Sequence, residues 1–151
     1  MSSAGNIKHI AKAVRNVVWQ PTKSKTGGFS SQEVFLLLGQ SENLVHELLF
    51  HGTRGNGKSA SLLMGYGQHV GKGWGPFWKG VILRRQCSAL SDLIDESHKI
   101  FPKLFPGAKY NISKRTWTFP TGETLIFEFL EKNNQYEKKF RNIQLSQFSA
   151  D

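Results

Sequence analysis

Apolar residues near the start of the chain recur at helical spacing in two segments. In NIKHIAKAVRNVV, residues 6–18, they stand between lysines and an arginine, which predicts a basic amphipathic helix. The apolar run VFLLL begins at Val34, after Ser30 and Glu33 at the spacing of a capping box. A short second helix is therefore predicted from about Ser31 to Leu38.

The middle of the chain alternates short apolar runs with helical patterns. Leu48 to His51 are interpreted as the end of a buried strand, and helical spacing follows from Lys58 to Val70, where Gly71 and Gly73 should stop the helix. The run VILRR, residues 81–85, is typical of a parallel strand, and another helix is predicted from Ser88 to Lys103. This alternation of strand and helix predicts an α/β domain with a parallel sheet.

The last third of the chain has a different pattern. KRTWTFP and ETLIFEFL, joined by Thr121 and Gly122, predict a β-hairpin. A charged segment, NNQYEKKFRN, then leads to the final run IQLSQFSAD, which is interpreted as a strand ending on Asp151. In the loop before VILRR, the stretch GKGWGPFWKG brings together three aromatic residues among glycines and lysines, namely Trp74, Phe77 and Trp78.

Composition narrows the class of protein. The chain has 151 residues, about the length of one domain, and 38% of them are hydrophobic, which is enough for a packed core. No apolar stretch approaches the roughly 18 to 20 residues of a membrane span, and the N-terminus lacks a signal-peptide pattern. We therefore expect a cytoplasmic protein with no membrane partner. The single cysteine, Cys87, cannot form an internal disulfide and is interpreted as a buried thiol.

The charge balance points to anionic partners. Twenty Lys and Arg residues against eleven Asp and Glu residues give a formal net charge of +9. Such an excess favours polyanions such as nucleic acid, although a generally basic soluble surface is the alternative.

A glycine-rich loop carries the most specific motif of the chain. Residues 52–59, GTRGNGKS, match the phosphate-binding P-loop pattern GxxxxGK(S/T). Its glycines let backbone N–H groups point at a phosphate, and the following helix presents its positive end to the same anion. Lys58 is predicted to neutralise the β and γ phosphates, and the Ser59 hydroxyl to bind Mg²⁺. The alternative is a simple glycine turn between a strand and a helix.

Several further features occur in a familiar order around this loop. They are WQP with a later FSSQEVFLL, the LLFHGTRGNGKS loop, VILRR before a helix rich in leucine and acidic residues, and WTFPTGETLIFEFLE before a final strand ending in Asp. From about Trp19 to Asp151 the chain resembles the N-terminal ATPase domain of phage terminase large subunits, the motors that pump DNA into viral proheads.

The resemblance implies a fold and a division of the chain. The implied fold is a P-loop NTPase of the RecA/ASCE-like type, in which a parallel sheet is flanked by helices and carries a β-hairpin insertion. Residues 1–40 would form a helical segment on the adenine side, and residues 41–151 the P-loop ATPase core, truncated at the Walker B strand.

The resemblance also implies site residues. Gln32 matches an adenine-contacting glutamine, although an exposed polar residue in the first turn of a helix needs no function. Arg54 and Lys58 form the implied catalytic set, with a solvent-facing loop arginine as the alternative for Arg54. Arg84 and Arg85 could reach a neighbouring subunit's nucleotide or the DNA backbone, or be solvated. The implied nucleotide-binding residues are Gln32, Gly52, Thr53, Arg54, Gly55, Asn56, Gly57, Lys58, Ser59 and Ala60.

The implied metal ligands are Ser59 and an acid at the end of an apolar strand, the Walker B acid. IQLSQFSAD supplies Asp151 for this role, and Glu128 and Glu131 are the competing candidates. In the family, a catalytic glutamate would follow Asp151, and a further central strand would complete the sheet. We therefore expect the chain to be an N-terminal fragment or truncated product without its general base.

The resemblance thus implies the ATP-binding portion of a viral DNA-packaging motor, which couples ATP hydrolysis to DNA translocation. The implied cofactors are ATP and Mg²⁺. The implied partners are double-stranded DNA, the portal protein and the small terminase subunit, with a homo-oligomeric ring working in the host cytoplasm. Two alternatives stay open, namely another P-loop NTPase such as a kinase, and a truncated product that binds nucleotide without hydrolysing it.

Overall fold

The computed structural model describes residues 18–40, 57–129 and 145–150. Several predicted features lie outside these described residues. They are the helix expected from residue 6, the strand end at 48–51, residues 52–56 of the P-loop, the charged segment after the hairpin, Glu131, and Asp151.

Three α-helices are formed in the described residues, and each was predicted from local sequence signals. Helix α1 spans Ser31–Leu38, α2 spans Lys58–Gly67 and α3 spans Cys87–Leu104. The capping box of α1 is confirmed, because the Ser30 hydroxyl accepts from the Glu33 amide at 3.2 Å and the Glu33 carboxylate accepts from the Ser30 amide at 2.6 Å.

The end of α2 and the environment of Cys87 differ from prediction. Helix α2 ends at Gly67, three residues before the predicted Val70, and the glycines expected to stop it lie in the next loop with φ of +74° and +93°. Cys87 is exposed rather than buried, because it is the first residue of α3 and lies outside the apolar stripe that this helix turns to the core.

Five strands form one open mixed sheet. The strands are β1 (Lys79–Arg84), β2 (Lys109–Asn111), β3 (Thr116–Thr118), β4 (Thr124–Phe129) and β5 (Gln147–Ala150), and their order is β2-β3-β4-β1-β5. Strand β1 pairs in parallel with both β4 and β5, whereas β2, β3 and β4 are antiparallel. The α/β class, the hairpin and the strand at VILRR are therefore confirmed. The prediction of a parallel sheet is wrong for the described strands, because the antiparallel hairpin is continuous with β4 and makes the sheet mixed.

Helices α2 and α3 pack on one face of this sheet. On β1 this face carries Gly80 and Ile82, which pair with Leu125 and Phe127 of β4. The ring of Tyr66, from α2, lies directly over Gly80. Its hydroxyl donates to the Thr124 carbonyl at 2.7 Å, which fixes α2 against both strands.

The two edges of the sheet carry different features. Strands β1, β4 and β5 run parallel, so their carboxyl ends share one edge, where Arg84 pairs with Phe129 and Leu83 with Ala150. The start of α2 lies at this carboxyl edge. The loop before β1 and the turn of the β3–β4 hairpin lie at the opposite, amino edge. Among the described residues, no helix is both long enough and apolar enough to cross a membrane.

Candidate functional site

The first turn of α2 begins directly after a left-handed glycine. Gly57 is the N-cap residue with φ of +66° and ψ of +22°, and no side chain caps the helix there. The first turn, which starts with Lys58 and Ser59, contains no acidic residue. A helix start of this kind directs its amides and the positive end of its dipole at the space in front of it. The described part of the predicted P-loop therefore has the local geometry that favours an anion.

Gln32 packs with its side chain against Gly57 at this helix start. Its side chain is only 5% exposed, and its Oε1 accepts hydrogen bonds from the amide and the hydroxyl of Thr22, at 2.7 and 2.8 Å. Its Nε2 lies so close to Gly57 that a Cβ on the glycine would stand less than 3.0 Å from it. The alternative interpretation of Gln32 as an exposed polar residue is therefore wrong, since this buried amide contacts both Thr22, in the segment before α1, and Gly57, whereas the adenine contact stays a prediction.

Arg84 also contacts the first turn of α2. Its Nη2 donates a hydrogen bond to the Ser59 hydroxyl at 3.2 Å, and the arginine is 8% exposed. Burial lowers the pKa of Arg84 from its usual value. The guanidinium still keeps its proton at neutral pH, because arginine side chains stay protonated in proteins. A buried positive charge thus lies at the first turn of α2.

The two consecutive arginines occupy different environments. Arg84 shares the helix-covered face of β1 with Ile82, whereas Arg85 follows the strand and is exposed. The alternative of a solvated side chain is therefore wrong for Arg84, which is buried and donates a hydrogen bond to Ser59 of the same chain. Contact with DNA, contact with a neighbouring subunit and solvation all stay open for Arg85.

The acid candidates are divided between described and undescribed residues. Glu128 forms an ion pair with Arg115, with 3.0 Å between Oε1 and Nη1, and it pairs in register with Leu83 rather than with Arg84. Strand β5 runs parallel beside β1 and ends at Ala150, so the strand predicted to carry Asp151 has its carboxyl end at the same edge as Arg84. Among the described residues, no group of three His, Cys, Asp or Glu could hold a metal ion.

Sequence reasoning missed Thr22, and it treated Arg84 and Arg85 alike. Thr22 lies in the loop before α1, ten residues from Gln32, and no spacing rule links a loop threonine to a helical glutamine. The two arginines could have been separated by the alternation of side chains along a strand, because a position two residues from Ile82 shares its face.

Comparisons of the chain with protein-family models, with curated proteins and with solved structures find no match. The function of the site must therefore be inferred from its own residues.

Proposed function

We propose that the chain is a P-loop NTPase of the RecA/ASCE-like type that binds ATP with Mg²⁺ at the first turn of α2. The observation that carries the proposal is the junction of four groups at the carboxyl edge of parallel strands, namely Gly57, Lys58, Ser59 and Arg84. Ligands in open α/β sheets bind at this edge. The anion-binding geometry of a glycine loop before a helix suits the phosphate tail of a nucleotide.

The residues fit phosphate better than they fit a bare metal ion. Arg84 places a positive charge beside the Ser59 hydroxyl, Lys58 is the adjacent residue in the same first turn, and like charges disfavour a cation there. When phosphate groups are bound, their negative charge offsets this repulsion, and a serine oxygen is a suitable ligand for Mg²⁺. In this proposal Ser59 holds the metal only together with the nucleotide, Lys58 neutralises the phosphates, and Gln32 borders the adenine side.

We further propose that this NTPase belongs to a viral DNA-packaging motor of the terminase large-subunit type. The formal net charge of +9 supports a DNA partner, and the sequence features from Trp19 to Asp151 support the family. The β3–β4 hairpin also favours this proposal over a kinase. Its strand β4 pairs with β1 along six residues, so it is part of the sheet and not a lid over the site.

Calorimetric titration of the chain with Mg²⁺ and ATP tests the nucleotide site. We expect saturable binding of Mg-ATP, none for Mg²⁺ alone, and loss of binding in Lys58→Ala. Lys103→Ala, an exposed lysine in the last turn of α3, is the matched control and should bind normally. A folded wild-type protein without saturable heat, or a Lys58→Ala variant that binds normally, would overturn the proposal.

The motor proposal has a separate test in binding to duplex DNA. We expect affinity that falls steeply between about 50 and about 200 mM salt, because lysines and arginines release counterions from the phosphates. Undetectable or salt-insensitive binding would count against the DNA partner while leaving the nucleotide site standing.

A further inference from the structure

A loop with two exposed aromatic rings lies at the amino edge of the sheet, opposite the candidate site. We call residues 71–79, GKGWGPFWK, the aromatic loop. Phe77 is 86% exposed and Trp74 is 47% exposed. Lys72 and Lys79 are exposed as well, and the aromatic loop contains no acidic residue. Large apolar rings and positive charges are therefore presented together to solvent.

A buried carboxylate holds the aromatic loop in place. Glu123, in the hairpin turn, is 0% exposed and accepts hydrogen bonds from the Gly71 amide at 3.0 Å and from the Thr121 hydroxyl. Pro76 packs closely on Gly122 of the same turn. A Cβ added at Gly122 would lie only 2.8 Å from the Pro76 Cγ. The hairpin turn thus holds the aromatic loop at its first residue, Gly71, and again at Pro76.

Further contacts fix the tip itself. Residues Gly75–Phe77 form one 3-10 turn, closed by a hydrogen bond from the Trp78 amide to the Gly75 carbonyl at 3.1 Å. The Phe77 carbonyl accepts from the Ser146 hydroxyl at 2.9 Å. Trp78, half-buried, lies against the His69 ring with centroids 4.4 Å apart. The exposure of Phe77 is therefore built into the fold, since its own backbone is anchored.

The chemistry of this surface suits a single-stranded nucleic acid. Aromatic rings stack on bases of any sequence, while lysines contact the phosphates between them. A duplex hides its base faces inside the stack, so an exposed phenyl ring has little to stack on there. A protein partner fits less well, because the centres of protein interfaces are depleted in lysine.

We propose that the aromatic loop binds single-stranded nucleic acid, with Phe77 and Trp74 stacking on bases and with Lys72 and Lys79 near the phosphates. The surface lies across the sheet from the first turn of α2, about 20 Å away along the six residues of β1. Binding of a single strand at the aromatic loop is separate from nucleotide binding at α2 and does not depend on it.

The test is fluorescence anisotropy of labelled oligothymidylate, oligouridylate and a duplex of the same length, titrated with the full chain. We expect both single strands to bind more tightly than the duplex, and the two single-stranded arms to show whether DNA or RNA is preferred. Phe77→Ala should weaken single-strand binding by about 5- to 150-fold, which is the range expected for losing one base–aromatic stack. Phe77→Tyr, which keeps a ring, should bind like the wild type.

Two further variants separate the aromatic and the ionic contributions. The double variant Lys72→Gln/Lys79→Gln should lower the slope of log affinity against log salt by about 1.4, because each single-strand phosphate contact contributes about 0.7. Binding should also quench the fluorescence of Trp74, and Trp74→Phe should abolish most of that quenching.

Phe29→Ala is the matched control, because Phe29 is a second exposed phenylalanine, 70% exposed, in the loop before α1. It should bind single strands like the wild type. Circular dichroism of Phe77→Ala should be unchanged, since the ring packs on little of the protein. Equal affinities for Phe77→Ala and wild type, or an equal loss in Phe29→Ala, would overturn the proposal. Concentration-dependent self-association that Phe77→Ala abolishes, without single-strand binding, would also overturn it and identify a contact with a second copy.

Discussion

The Arg84 guanidinium donates a hydrogen bond to the Ser59 hydroxyl across 3.2 Å, joining the end of β1 to the first turn of α2. The two residues are 25 positions apart in the chain, and the bond is made at the edge where parallel strands end. It places a buried positive charge beside the hydroxyl that the P-loop pattern assigns to the metal. Any anion that binds at this helix start therefore meets Arg84 as well as Lys58.

We expect Arg84→Gln to weaken Mg-ATP binding by at least about tenfold, because charged hydrogen bonds typically contribute about 1.5–3 kcal/mol. Arg84→Lys should recover part of the loss, since it keeps the charge but loses the planar fork. Calorimetric titration measures the binding, and a thermal unfolding curve of each variant shows whether the fold is kept.

Arg85→Gln is the control for this prediction, because Arg85 is the next residue in sequence and is exposed. It should bind Mg-ATP like the wild type. If the two variants lose affinity equally, or if Arg85→Gln loses more, Arg84 has no special position at the site.

We expect Gly57→Ala to destabilise the fold by about 1–3 kcal/mol. The glycine has φ of +66°, which costs other residues about 1 kcal/mol or more, and its Cβ would collide with the Gln32 amide. In a Gln32→Ala background the collision disappears, so the substitution should cost at least about 0.5 kcal/mol less there. Urea unfolding of the wild type, the two single variants and the double variant measures the cost of Gly57→Ala in each background. Identical costs in both backgrounds would show that Gln32 does not confine Gly57.

The local signals of the sequence predicted most of the elements. The capping box at Ser30 and Glu33, the hairpin around Thr121 and Gly122, and the strand at VILRR each depend on neighbours within a few residues, and all three are present. The predicted end of α2 was less accurate, because helix boundaries are specified less sharply by local sequence than the helices themselves.

The contacts that build the candidate site were not predictable in the same way. Gln32 meets Thr22 and Gly57, and Arg84 meets Ser59, across gaps in sequence that no periodic pattern spans. Two residues of one type, such as Arg84 and Arg85, look equivalent by composition and differ only when the face of the strand is known. The P-loop pattern predicts a candidate site, and the packing of the described residues shows which side chains border its helix start.

A buried serine on α3 gives a stability prediction. The Ser97 hydroxyl accepts from the Trp117 indole N–H at 2.8 Å, and both residues lie in the core. Ser97→Ala should lower the free energy of unfolding by about 1–3 kcal/mol, because it leaves the indole N–H without its acceptor. Ser91→Ala is the control, since Ser91 lies on the same helix, is exposed and donates a hydrogen bond to the Cys87 carbonyl of its own helix. A chemical denaturation curve in which both variants change stability equally would contradict this role.

Gly80 gives a prediction about packing under Tyr66. A Cβ at this glycine would lie less than 3.0 Å from the tyrosine ring, which is held in the core by its bond to the Thr124 carbonyl. Gly80→Ala should therefore destabilise the protein by about 1–3 kcal/mol. Gly28→Ala, at a glycine with no atom within 4 Å of the new Cβ, should stay within about 0.5 kcal/mol of the wild type. A thermal melt that ranks the two variants equally would show that the ring moves aside at little cost.

Glu123 links stability to pH through the aromatic loop. Burial acts to raise the pKa of this carboxyl, but hydrogen bonds from the Thr121 hydroxyl and from backbone amides, Gly71 and Gly75 among them, outweigh it and lower the pKa below its usual 4.5. The ionised form is thus favoured by folding. Its contribution is present above pH 4.5 and is lost as the pH falls through the lowered value of the folded state.

We therefore expect Glu123→Gln to cost about 1–3 kcal/mol at pH 7, because an amide cannot accept from all of these donors at once. The difference from the wild type should shrink as the pH falls below about 4.5, because Glu123 of the unfolded wild-type chain binds a proton there, and the folded carboxylate does so only at lower pH. Asp92→Asn, which neutralises an exposed carboxylate on α3, should show neither effect. Urea unfolding of the wild type, Glu123→Gln and Asp92→Asn at a series of pH values measures the stability cost at pH 7 and its decrease at low pH. A Glu123→Gln penalty that stays constant down to pH 3 would mean that the charge of Glu123 does not hold the aromatic loop.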